Sequence, residues 1–243
     1  MDLTRRGGRK AAEPRALKVT LDGLSRVDGS ARFGFGDTVA VASVSGPIEV
    51  RLAAENPSLS TFEVLLRPLS NVPATQSKSL AASIRAALIP SLILSQNPRT
   101  LIQLVIQALS PTRSRSFDTL VAAMINASTI ALLNAGSIPM KGVVCAVAIG
   151  RIKSTTLVVD PGEEEEAAID ASGCFAFSFG NGLDDTRCVW TNWKSASRSF
   201  DEAELARCKL LASVAAKSVW LQIQKVFEGD ESGGEEEDEM EIS

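Results

Sequence analysis

From Thr119 to Met140 the chain carries no charged residue. A run of that length can cross a bilayer as a helix, so it must be either lipid-embedded or enclosed by protein on most sides. Asn126, Ser128, Thr129, Asn134 and Gly136 interrupt it and no aromatic anchors flank it, which argues against a membrane span. The run reads as a core helix of a soluble domain, capped by Ser116 and closed by Gly136. The sequon Asn126-Ala127-Ser128 falls inside this helix and is discounted as a glycosylation site.

A helix buried nearly all round needs layers on both sides of it, and the flanking sequence supplies them. Before it the hydrophobic period is two: Leu17 to Leu21, Ala31 to Phe35, Val39 to Val44 and Phe62 to Arg67 read as strands, with turns at Asp28-Gly29 and Gly36-Asp37. Leu80, Ile84, Ala87 and Leu88 then fall at helical spacing, and Pro90 kinks or ends that helix. Leu101 to Leu109 reads as a further strand. After the central helix, Val143 to Ile152 and Thr156 to Val159 form one strand pair. Cys174 to Phe179 and Arg187 to Trp193 form another, joined by Gly180-Asn181-Gly182. Ser199-Phe200-Asp201-Glu202 predicts a capping box for a final helix whose apolar stripe is Leu205, Cys208, Leu211, Ala212, Ala215, Val219 and Ile223. This is an α+β pattern of mixed sheets packed with helices.

Composition removes several kinds of chemistry. The 243 residues include no His and no Tyr, so Ser-His-Asp and Cys-His catalysis, His-ligated metals and a Tyr acid are excluded. Cys145, Cys174, Cys188 and Cys208 are widely spaced with no Cys-x-x-Cys pair, which predicts buried free thiols rather than zinc or a disulfide framework. Trp190, Trp193 and Trp220 are expected in the core or an interface. Arg5, Arg6, Arg9 and Lys10 are followed by no apolar stretch, so no secretory signal is expected.

The net charge of −4 conceals two tails. After Gly229 there are eight acids and no base, and without them the body holds 25 bases against 21 acids. Between Arg5 and Lys18 there are six bases and one acid. We therefore expect a basic flexible tail over 1–16, a folded domain over 17–228 and an acidic disordered tail over 229–243. The mildly basic body suits a polyanion partner.

The stretch from Leu24 to Val50 is more specific than a strand pattern. Arg26-x-Asp28-Gly29-Ser30-x-Arg32-Phe33, then Gly36-Asp37-Thr38, then Gly46-Pro47-Ile48-Glu49, resembles the N-terminal signature of the RNase PH family, most closely the ring subunits of the eukaryotic RNA exosome. Arg67-Pro68, Pro98-Arg99-Thr100, Asn126-Ala127, Asn134-Ala135-Gly136-x-x-Pro139-Met140 and Val159-Asp160-Pro161 continue it in order. The resemblance implies two βαβα-type halves, like ribosomal protein S5 domain 2, packed as one domain.

What the resemblance implies about function is a ring subunit supporting 3′-to-5′ RNA processing and degradation, ribosomal RNA included. The implied partners are other RNase PH-like subunits in a hexameric hetero-oligomer, S1/KH-type cap subunits, an associated exoribonuclease and weakly held RNA, with no membrane. The compartments implied are nucleus, nucleolus and cytoplasm. Active members hold phosphate with an Arg at the start of the central helix; the aligned positions here are Asp118, Thr119 and Leu120, so Leu120 replaces that Arg. The two family carboxylates fall on Glu164 and Asp170, though Glu163 to Glu166 would place an acid near any register and read rather as a solvated loop. The site is therefore expected to be degenerate, with no catalytic residue, cofactor or metal. Lys78, Arg85, Arg99, Arg113 and Arg115 are candidates for a weak, sequence-independent RNA contact. A phosphate-dependent 3′-to-5′ exoribonuclease is the alternative, and a generic interaction module using the acidic tail is a third reading.

Overall fold

A computed structural model describes residues 5–238 except 6–7, 22, 71, 73, 112–116, 153–155, 181 and 196–198; it places the side chains of those residues up to 229 apart from that of 166. Ser116, Arg113, Arg115 and the Asn181 turn position thus lie outside the described residues.

The central helix, α2 (Phe117–Ala135), is the hub. The helix is long and apolar enough to cross a membrane, but 83% of its most apolar 18-residue stretch is buried inside the protein. On one side lies the first sheet, in the order β1-β2-β3-β5-β4. Its strands are β1 (Leu17–Leu21), β2 (Gly29–Phe35), β3 (Thr38–Glu49), β4 (Thr61–Arg67) and β5 (Thr100–Ala108). The β4–β5 pair is parallel because α1 (Thr75–Leu88) crosses between those strands; the other pairs are antiparallel.

On the other side lies the second sheet. It is made of β6 (Val143–Ile152), β7 (Thr156–Val159), β8 (Ile169–Phe179), β9 (Thr186–Thr191) and β10 (Lys194–Ser195). Its pairings are antiparallel: β6 lies between β7 and β8, and both β9 and β10 pair with β8. β6 is buried along nearly its whole length because α2 and α3 (Glu202–Asp238) both pack on this sheet. That explains why its sequence runs apolar without alternating.

The polar residues inside α2 are all satisfied. Ser128 and Thr129 donate to the carbonyls of Met124 and Ile125. Asn126, fully buried, donates to Ala146 O at 2.9 Å and accepts from Ala146 N at 2.7 Å. β7 pairs with β6 only from Ile149 onward, so the Asn126 amide takes the place of a strand neighbour. Burial of this residue agrees with discounting the sequon.

The signature residues converge on one corner. Asp28 Oδ2 accepts from Gly46 N at 2.7 Å, Asn134 Nδ2 donates to Ser30 O, and Ser137 Oγ donates to Gly46 O. A Cβ at Gly29 would lie 2.4 Å from the carbonyl oxygen of Ala131, so only glycine lets β2 approach α2 this closely. Gly136, at φ 62°, ends α2 as expected. The motif carrying the resemblance is thus a clamp between the β2–β3 hairpin and α2.

Three expectations change. The cap of α3 is Asp201, whose Oδ1 accepts from Glu204 N at 2.7 Å, rather than Ser199. The capping Asp sits directly before Glu202, the first helical residue, whereas Ser199 is two positions too early. The helix continues through Gly229, Gly233 and Gly234 to Asp238; each glycine costs about 1 kcal/mol in a helix, against which the glutamates around them are good helix formers. Finally, described residues before Leu17 lie against the domain. Arg5 is 4% exposed and Val159 N donates to Ala11 O. Most of the Arg5 partners, the Glu165 carboxylate and the carbonyls of Val159 and Asp160, are more than a hundred residues away, which local charge counting cannot see.

The cysteines are free; Cys145, Cys174 and Cys208 are buried and Cys188 is half-buried. Burial pushes the Cys208 thiol up to about 11, far from a thiolate nucleophile at neutral pH. Trp193 and Trp220 pack beside Phe175 and Phe179, and Trp190 packs against the same core.

Candidate functional site: a neutral helix start, paired carboxylates and a basic cleft

Asp118, Thr119 and Leu120 open α2 where it meets the second sheet. Asp118 is 2% exposed and accepts from Ser172 Oγ at 2.6 Å, Asn192 Nδ2 at 3.0 Å and Lys194 Nζ at 3.3 Å. A carboxylate at a helix start is favoured by the helix dipole, so the positive end of α2 is already compensated. The Thr119 hydroxyl faces the Pro161 carbonyl at 3.4 Å. Leu120 is 3% exposed and lines a hollow of 350 Å³ with Leu66, Leu80, Phe117 and Met124. Among the described residues Lys194 is the one cation on its wall, and it is drawn to Asp118. The Leu120 side chain offers a phosphate no donor, and Gln76 and Ser77 on the same wall are uncharged.

The two carboxylate positions behave differently. Glu164 is exposed on a short 3-10 turn, Glu163–Ala168. Asp170, on β8, is held by Arg151, whose Nε donates to Asp170 Oδ1 at 2.7 Å. The same guanidinium donates to Glu204 Oε1 at 2.6 Å and Ser195 Oγ at 2.9 Å. Burial alone would lower the Arg151 pKa, but its hydrogen bonds to Asp170 and Glu204 raise it, so the guanidinium stays charged. Asp170 is a member of a structural ion network joining β6, β8 and α3. Among the described residues no three His, Cys, Asp or Glu side chains come together as a metal-ligand set.

The acidic turn is tied down from the N-terminus. Arg5 donates twice to Glu165, at 2.7 and 2.6 Å, and also to the carbonyls of Val159 and Asp160. Arg15 makes a two-pronged pair with Asp160 at 2.8 Å on each arm. Burial would raise the Glu165 pKa, but the Arg5 hydrogen bond and the Gly162 amide bring it below the ordinary value. Sequence reasoning missed this strap, and also Arg151 and Lys194.

Of the basic candidates, Lys78 and Arg85 share a cleft of 940 Å³ between β4 and α1. Arg51 and Arg67 line the same cleft and were missed as candidates; Arg67 ends β4 and Arg51 lies two residues beyond the end of β3, which puts both at the sheet rim. Arg85 Nε also donates to Phe62 O at 2.8 Å, joining helix to strand. Arg99 lies elsewhere, 3.4 Å from Glu55, and Arg113 and Arg115 are outside the described residues. The cleft is an open basic groove on an edge strand, with Glu63 and Gln103 on its walls.

Residues 13–137 match the RNase PH model described as 3′ exoribonuclease family, domain 1, and residues 142–215 match domain 2 of the same family. The chain belongs to the RNase PH family. The exosome complex component RRP46 of Saccharomyces cerevisiae is 33% identical over 162 residues, covering 65% of this chain and 72% of that protein. The crystal structure of rice (Oryza sativa) Rrp46 superposes with a TM-score of 0.78 at 24% identity, over 91% of this chain and 99% of that one. An Archaeoglobus fulgidus exosome with RNA bound to the active site gives a TM-score of 0.74 at 19% identity, over 90% and 92%. The second family half begins just after α2, so this helix belongs in sequence to the first half while packing on both sheets. The family fold expected from the sequence is the one found.

Proposed function

We propose that this chain is a noncatalytic subunit of an RNA exosome ring, supporting 3′-to-5′ RNA processing and degradation, ribosomal RNA included, by a nuclease held elsewhere in the complex. The observation that carries the noncatalytic reading is Leu120, buried at the head of α2, where the family resemblance puts a phosphate-binding arginine. Phosphorolysis needs positive charge beside the attacking phosphate, and among the described residues this corner offers a single lysine already facing a carboxylate. The engagement of Asp170 by Arg151 supports the same reading. Membership of a ring is supported by the RRP46 relatives and by the open β4 edge, since unpaired strand edges invite partners.

In this reading the partners are other RNase PH-like subunits in a hexameric ring, S1/KH-type cap subunits and an exoribonuclease, in nucleus, nucleolus and cytoplasm. RNA would run along the cleft of Arg51, Arg67, Lys78 and Arg85 by backbone charge alone, with an affinity that falls as salt rises. The test of the noncatalytic reading is purified full chain with end-labelled RNA, phosphate and magnesium. No nucleoside diphosphate above a blank is expected. Phosphate-dependent release that disappears with Glu164→Gln or Asp170→Asn would overturn it.

A further inference from the structure

Helix α3 buries one face and leaves the opposite one bare. Cys208, Ala212, Ala215, Ala216, Val219 and Ile223 are in the core. On the other side Leu210 is 68% exposed, Val214 61% and Leu221 42%. These three, with Lys217, follow steps of four, three and four residues, which is one continuous stripe on a helix. The stripe runs for about 16 Å, or three turns. Scattered exposed aliphatic residues need no explanation, but a contiguous helical row of them does.

Charge decides what can cover it. Arg207, Lys217 and Lys225 border the stripe and take part in no ion pair among the described residues. Glu228, at the far end, is engaged by Gln224 at 2.7 Å. A second copy presenting the same face would set these cations against each other. RNA would use the cations but gain nothing from three aliphatic side chains. The chain's own acidic residues continue along the same helix to Asp238, so they lead away from the face rather than over it.

We propose that the outer face of α3 is a docking site for an acidic amphipathic helix of a partner protein. Its apolar stripe would lie along Leu210, Val214 and Leu221, and its carboxylates would meet Arg207, Lys217 and Lys225. Helix-in-groove recognition of this kind reads anchors at i, i+4 and i+7, while the bordering charges set orientation and speed of association. The surface is separate from the RNA cleft and from the β4 edge, so it does not rest on the ring reading.

The experiment uses the full chain and a fluorescent synthetic helix carrying leucines at that spacing and glutamates on its flanks, with binding followed by anisotropy. Saturable binding is expected, weakened at least tenfold by Val214→Glu with Leu221→Glu and weakened progressively by salt. Lys217→Glu should also weaken it, and a peptide with lysine in place of the facing glutamate should recover the loss. The recovery is a readout that misfolding could not produce. Equal binding of a scrambled or all-lysine peptide, no effect of the substitutions, or self-association of the chain through this face would overturn the proposal.

Discussion

Arg151 is 1% exposed at its side chain and holds Asp170, Glu204 and Ser195 at once. Removing it would strand two carboxylates, one of them buried, without a counter-charge. Arg151→Met is therefore expected to destabilise the fold by about 3–5 kcal/mol, read as a lower midpoint in urea unfolding; a change under ~1 kcal/mol would show that the network contributes little. Glu165 gives a pH-dependent counterpart. Its folded pKa lies below the ordinary value because of Arg5, so its contribution is complete above about pH 4.3, the unfolded value. It is lost as pH falls through the lower folded value. Amide protection over residues 8–16 should drop across that window, and Glu165→Gln should show the drop already at pH 6. Unchanged protection in both cases would mean that the strap is held by its other hydrogen bonds alone.

At the scale of elements, the clamp between β2 and α2 is the feature most exposed to a small change. Gly29→Ala places a methyl group against the Ala131 carbonyl and should cost about 1–3 kcal/mol, checked by thermal melting. Truncation after Glu228 takes away no described core residue and should leave melting unchanged. The strands and helices were readable from the chain because their cues are local: alternation in β4, the uncharged run of α2, Gly136 after it. The capping residue of α3 was displaced because Ser199 and Asp201 both satisfy a helix-start pattern, and only the backbone decides between them. The N-terminal strap was not readable at all, since Arg5 and Glu165 are 160 positions apart. At the candidate site, the placing of Lys78 and Arg85 on one helix could be anticipated. The capture of Asp170 by Arg151 could not, because it depends on which strands become neighbours.

For the whole molecule, the two sheets and the hub between them leave the β4 edge open beside a basic cleft. Arg67→Ala with Lys78→Ala should weaken RNA binding evenly across sequences and flatten its salt dependence by about one unit for each phosphate no longer neutralised. Filter binding at several salt concentrations would read this, and an unchanged slope would place RNA elsewhere. In the proposed function this chain is one member of a ring built from RNase PH-like subunits. The most direct measurement is native mass spectrometry of the full chain purified from its own cells. The predicted result is one copy of the chain in a hetero-oligomer with other RNase PH-like subunits. A stable monomer at micromolar concentration, with no such subunit bound, would contradict it.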